Sequence, residues 1–119
     1  MLKILFYDTK SYDQDSFERK NKAYPKIQID YMKSELNPST ARLAKGYDAV
    51  CAFVNCDVGT KTIEVLHELG IGLILLRCAG FNNVDIEKAK EYKMKVMRVP
   101  GYSPEAVAEH AMALALVAN

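Results

Sequence analysis

Apolar positions along the chain group into five short runs, separated by stretches whose apolar residues recur at helical spacing. The first run, Leu2 to Tyr7, is apolar except for Lys3. The second, Lys26 to Met32, alternates Ile27, Ile29 and Tyr31 with Gln28 and Asp30. The third, Asp48 to Val54, is almost continuously apolar, and the fourth, Leu73 to Leu76, is apolar throughout. The fifth, Lys95 to Val99, is mixed. A continuous apolar run implies burial on both faces of a sheet, whereas alternation implies one wet face or an edge position. The pattern therefore predicts five strands, with the first, third and fourth interior and the second and fifth at the edges. A doubly wound parallel sheet of order 2-1-3-4-5 satisfies that assignment.

The stretches between carry helix punctuation. Asp15 can cap a helix running to about Ala23, with Pro25 beyond its end. Asn37-Pro38 is an N-cap and first-turn pair, and Gly46 closes that short helix. Thr60 opens a helix with Ile63, Leu66 and Leu69 on one face, ended by Gly70. Asp85 opens another through Tyr92, with Ile86 and Ala89 facing inward. Strands alternating with helices of about ten residues predict βαβ units and an α/β fold.

The last segment differs. Pro104 suits a first helical turn, and Glu105 and Glu109 favour the positive N-terminal end of a helix. Beyond His110 there is no charge, and Ala111 to Val117 are apolar on every face. A helix apolar all round is normally covered all round. This segment also lacks a glycine, proline or basic stop signal. The expectation is that a longer protein continues past Asn119 and covers it.

Composition narrows the partners. The 119 residues are half apolar and about a quarter charged, a globular balance in a length that suits one domain. Residues 1–60 hold nine basic and eight acidic side chains and residues 61–119 seven of each. With no basic stripe, nucleic acid is not an expected partner. No apolar stretch reaches the ~18 residues of a membrane span, and the N-terminal run is too short for the core of a signal peptide. Cys51, Cys56 and Cys78 form an odd set without a C-x-x-C pair, which suits free thiols in a reducing cytoplasm rather than a disulfide framework or zinc site.

Several motifs could carry chemistry. Gly70-Ile71-Gly72 looks like the start of a dinucleotide loop, but it lacks the third glycine and precedes a strand, where such a loop must follow one. It reads as a helix end and turn. Arg77-Cys78-Ala79-Gly80-Phe81-Asn82-Asn83-Val84-Asp85 follows the most apolar strand. Ligands of open α/β sheets bind beyond the carboxyl ends of strands, and a glycine there lets backbone N–H groups turn toward a carboxylate or phosphate. The same residues also serve as a plain strand-to-helix turn. In the stiff connector Val99-Pro100-Gly101-Tyr102-Ser103-Pro104, Tyr102 either offers its hydroxyl to a ligand or packs. His67 is expected on the wet face of its helix. His110 sits beside Glu109, and helix neighbours point apart. Arg77 could lower the pKa of the Cys78 thiol, though a packed thiol is the more common outcome at such a position.

Leu75 to Asp85, together with Arg98-Val99-Pro100-Gly101-Tyr102-Ser103-Pro104 and Val107-Ala108-Glu109-His110-Ala111, resembles the D-isomer-specific 2-hydroxyacid dehydrogenases, and within them the NAD-dependent D-lactate dehydrogenases. The resemblance runs from Lys3-Ile4-Leu5 through Leu43-Ala44-Lys45-Gly46-Tyr47-Asp48 and is most specific from Leu75 to Ala111. It implies a flavodoxin-like substrate-binding domain over residues 1–100. Residues 101–119 would then be a linker and an apolar crossing helix leading to a nucleotide-binding domain absent from this chain. It further implies that Ala79 and Gly80 hold the substrate carboxylate through backbone N–H groups, that Phe53 and Tyr102 line the substrate pocket, and that Ala79 and Val107 approach the NAD cofactor. The catalytic arginine, glutamate and histidine of the family would lie further along, so this piece alone should be inactive. Asn82, where many members carry aspartate, and Gly101 depart from the pattern and bear on substrate choice.

The implied function is hydride transfer between NAD(H) and a small D-2-hydroxy acid or 2-oxo acid, D-lactate and pyruvate foremost, in the cytoplasm. A homodimer is expected of the full-length protein, and self-association of the piece through residues 104–119. The alternative is a stand-alone flavodoxin-like binding or regulatory module. Against it, Asp8 lacks the acidic neighbour a phosphoacceptor needs, Asp57 lies three residues past Val54, and Pro100-Gly101 stands where a lysine would be required. Thr9-Lys10-Ser11 is a poor phosphate loop for a flavin.

Overall fold

The structure, a computed structural model, describes residues 2–53, 56–77 and 84–98. Five strands, β1 (Leu2–Phe6), β2 (Ile27–Tyr31), β3 (Ala49–Ala52), β4 (Leu73–Leu76) and β5 (Lys95–Arg98), form one sheet of order β2-β1-β3-β4-β5. All four pairings are parallel, with Ile4 opposite both Ile29 and Ala49, Ile74 opposite Val50, and Leu75 opposite Met97. Among the described residues three helices, α1 (Ser11–Asn21), α2 (Thr60–Glu68) and α3 (Ile86–Glu91), and a short 3-10 turn, Thr40–Ala44, lie between the strands. This is the α/β architecture and strand order that the hydrophobic pattern predicts. The crossing helix expected from Pro104 lies outside the described residues.

The interior strands earn their places by side-chain pattern. β3 and β4 are buried at every position, and β5 at none. One face of the sheet packs Leu5, Val50, Ile74 and Leu76 against Ile63 and Leu66 of α2 and Ala89 of α3. The other packs Ile4, Phe6, Cys51 and Leu75 with Phe17 of α1. Full burial of an Ile or Leu contributes about 1.5–3 kcal/mol, so the run Ile74–Leu76 is one substantial contributor among the buried core residues.

Local corrections concern the helices. α1 begins at Ser11, four residues before the Asp15 cap that the sequence suggested, with Gln14 N–H donating to Lys10 O and Lys10 in the flanking extended conformation. Only Ser16 and Phe17 of its described side chains are buried, so hydrophobic periodicity was too weak to set its start. The expected helix after Asn37 is the five-residue 3-10 turn. Asn37 Oδ1 accepts from the N–H groups of Ser39 and Thr40, an Asx turn that tightens the backbone before an α-helical turn can form. α2 opens at Thr60 as expected, with Gly59 at the N-cap position and the Thr60 hydroxyl donating to Asp85 Oδ2 at 2.6 Å. Asp85 caps α3 as expected, accepting from Lys88 N–H at 3.1 Å. Ala89 is buried and Ile86 half-buried.

Candidate functional site

Strand order reverses between β1 and β3, because β1 leads outward to β2 and β3 leads the other way to β4 and β5. In open α/β sheets the crevice beyond the carboxyl ends of the strands at such a switch point is where ligands bind. Tyr7, Asp8 and Thr9 follow β1 there, Phe53 and Cys56 follow β3, and Arg77 follows β4. Three of these, Asp8, Thr9 and Arg77, are polar or charged yet buried, an unusual concentration for a sheet edge.

Arg77 organises the edge. Its backbone N–H donates to Ala52 O at 2.9 Å, extending the β3–β4 ladder by one residue. Its side chain is turned back into the protein, leaving the residue 5% exposed. One guanidinium nitrogen donates to the carbonyls of Tyr7 and Asp8, the latter at 3.3 Å. The guanidinium carbon lies 4.0 Å from the centre of the Phe6 ring and 4.9 Å from that of Phe53. A buried cation is costly unless paired; two carbonyl dipoles and two ring faces offset that cost.

Asp8 holds the other side of the edge. Its φ of +52° lies in the left-handed region, which Asp tolerates better than most residues. Its carboxylate pairs with Lys10 Nζ at 2.9 Å and its N–H donates to Ser34 O at 2.8 Å. Tyr7 is fully buried, and its hydroxyl donates to Thr40 O at 2.7 Å. Burial, with the neighbouring Cys56 and Tyr47, raises its pKa well above the ordinary phenol value. The Cys56 thiol accepts from Leu36 N–H at 3.2 Å and Phe53 N–H at 3.5 Å, while Cys56 N–H donates to Phe53 O at 3.0 Å. Burial raises the Cys56 pKa, against the opposing pull of those two hydrogen bonds. The result is a packed thiol that knots the turn after β3 to the segment before the 3-10 turn.

Of the residues the sequence nominated, Phe53 sits half-buried at this edge. Ala79, Gly80, Tyr102 and Val107 lie outside the described residues, as do Cys78 and His110. His67 is exposed, as expected, and stacks on Tyr92 with ring centres 4.1 Å apart. The sequence offers Arg77 only as the first residue of the loop after β4 and as a neighbour of Cys78. Its position immediately after the wholly apolar Leu73–Leu76 run was the available signal, since a charge continuing a buried strand must find buried partners. Asp8 carried no such signal.

Gly70-Ile71-Gly72 lies at the opposite, amino edge. Gly70 follows α2 with φ +81°, and its N–H donates to His67 O. It ends a helix and does not fit a dinucleotide's pyrophosphate, which needs a turn that opens one. A shallow groove of about 610 Å³ between α1 and β2, lined by Glu18, Lys22, Ile29 and Tyr31 among others, lies on the outer side of the sheet. Among the described residues no cluster of His, Cys, Asp and Glu could hold a metal ion, and no helix is long and apolar enough to cross a membrane.

Residues 4–114 match the family model described as D-isomer specific 2-hydroxyacid dehydrogenase, catalytic domain. The chain belongs to this family. A 2-hydroxyacid dehydrogenase homolog of Haemophilus influenzae is 47% identical over 118 residues, and the D-lactate dehydrogenase of Escherichia coli 43%. Both alignments cover 99% of this chain but only 35% and 36% of those proteins, so the chain spans about a third of the length of the curated relatives it matches. The apo-structure of the Escherichia coli enzyme superposes with a TM-score of 0.82, covering 99% of this chain and 37% of that one. An NAD-complexed D-isomer specific 2-hydroxyacid dehydrogenase from Lactobacillus delbrueckii, 30% identical, superposes at 0.75, covering 96% of this chain and 34% of that one. The dehydrogenase family and the doubly wound sheet thus agree with the resemblance carried by Leu75 to Ala111.

Proposed function

We propose that this chain is the first part of the substrate-binding domain of an NAD-dependent dehydrogenase that interconverts a small 2-oxo acid and its D-2-hydroxy acid, with pyruvate and D-lactate the leading pair. The observation that carries the reading is the buried polar edge at the switch point, where Arg77 ties β1, β3 and β4 together beneath Phe53. The names of the relatives, D-lactate dehydrogenases and 2-hydroxyacid dehydrogenases, support the same chemistry.

In this reading Ala79 and Gly80 hold the substrate carboxylate through backbone N–H groups, and Phe53 and Tyr102 wall the pocket. Ala79 and Val107 approach the cofactor. NADH, when bound by a second domain, supplies the hydride for the carbonyl carbon. The carbonyl oxygen takes a proton from a general acid outside this chain. Residues 1–100 form the substrate-binding unit and residues 101–119 the connection to the second domain. The protein acts in the cytoplasm as a homodimer, and the 119-residue piece alone is inactive but self-associates through residues 104–119. Full-length protein given pyruvate and NADH is expected to oxidise NADH and yield D-lactate by chiral chromatography. L-lactate, or no turnover with any 2-oxo acid, overturns the reading.

A further inference from the structure

We propose that Arg77 is a positioning residue, one that holds the Phe53 ring as a fixed wall of the substrate pocket and so sets how large a 2-oxo acid is accepted. The inference rests on the dehydrogenase reading above, and on Phe53 lining the pocket.

Phe53 has two sets of freedoms, and the structure restrains both. Its backbone is held by the Cys56 turn, through Phe53 N–H to Cys56 Sγ at 3.5 Å and Cys56 N–H to Phe53 O at 3.0 Å. Its ring lies 4.9 Å from the Arg77 guanidinium, which in turn sits 4.0 Å from Phe6. Phe6 is itself fully buried and meets Phe17 edge-to-face at 4.6 Å. The half-buried ring at the edge is thereby chained through a cation to a ring in the rigid core. The cation is anchored by one terminal nitrogen, which donates to both the Tyr7 and the Asp8 carbonyl. A planar guanidinium can face two rings at once, which a compact ammonium does less well. Since Arg77 is 5% exposed and bonded inward, it acts through Phe53. A wall held this way discriminates by size, because a substrate that must displace it also breaks the cation–π contact.

The test is the ratio of kcat/KM for pyruvate to kcat/KM for 2-oxoisocaproate in the full-length enzyme, a ratio that does not depend on the fraction of protein folded. Arg77→Met is expected to lower the ratio about tenfold, with the KM for NADH changed less than twofold. Arg77→Lys, which keeps the charge and loses the plane, is expected to lower it about threefold. In a Phe53→Leu background, Arg77→Met is expected to change the ratio by less than about twofold, because the wall it holds is already gone. If Arg77→Met yields no soluble protein, Arg77→Lys alone and combined with Phe53→Leu decides. Equal losses on both substrates, or effects that add to those of Phe53→Leu, overturn the proposal while leaving the dehydrogenase reading intact. A wild-type enzyme that reduces no 2-oxo acid overturns that reading, and this inference with it.

Discussion

The two ends of the sheet solve the same problem in opposite ways. At the amino end, polar groups are wet and the bonds between elements are donated by backbone N–H groups. Exposed Asp48 accepts from Lys3 N–H at 2.8 Å, Lys95 N–H donates to Gly72 O at 2.9 Å, and the left-handed positions are Gly46, Gly70 and exposed Lys93. At the carboxyl end, a guanidinium and a carboxylate are buried, and the left-handed residue is an aspartate with a Cβ. Local strain and buried charge are tolerated where surrounding structure enforces them, and such places concentrate at functional sites. The contrast teaches that the amino edge rests on exposed backbone bonds that a side-chain change hardly touches, whereas the carboxyl edge depends on a buried charge.

That contrast can be broken by substitution. Arg77→Met should cost about 3 kcal/mol in urea unfolding, because two buried carbonyls lose a charged donor. Lys3→Met at the other end should stay within about 0.5 kcal/mol. Equal costs at the two edges would erase the distinction. Gly70→Ala should cost about 1–2 kcal/mol. A Cβ there meets nothing within 4 Å, so the cost is the left-handed backbone alone, at φ +81°. Lys93→Gly, at φ +60° just past α3, should instead gain up to about 1 kcal/mol.

The smallest effect sharpens the comparison by separating edge from burial. Asp85 lies at the carboxyl end of the sheet but is not buried. The Thr60 hydroxyl first, and then the Lys88 N–H, hold its carboxyl below the ordinary value of 3.8. A carboxylate depressed on folding stabilises above its unfolded pKa and loses that contribution as pH falls through the folded one. The melting-temperature gap between wild type and Asp85→Ala should therefore be full at neutral pH and close below about pH 4. A gap that persists at pH 2 would mean the cap acts through packing.

The sheet was legible because burial on both faces writes itself as continuous apolar runs: Leu73–Leu76 and Ala49–Ala52 admit only interior strands. The start of α1 lies four residues ahead of Asp15 and is not legible, because among its described side chains only Ser16 and Phe17 are buried and make no stripe to read. As a pocket candidate Phe53 comes only from the resemblance, since an aromatic after a strand serves equally as core. The Arg77 clamp was not legible: it joins residues 69 and 70 positions apart along the chain, and no spacing encodes which carbonyls a buried cation will meet.

The most direct test of the account is where a substrate analogue touches the sheet. Oxamate, an isostere of pyruvate, titrated into the NADH-loaded full-length protein, should shift the backbone amide resonances of Tyr7, Thr9, Phe53 and Arg77. Those of Leu2, Asp48, Gly72 and Lys95 should stay unmoved. Shifts concentrated at the amino edge, or in the groove between α1 and β2, would contradict it.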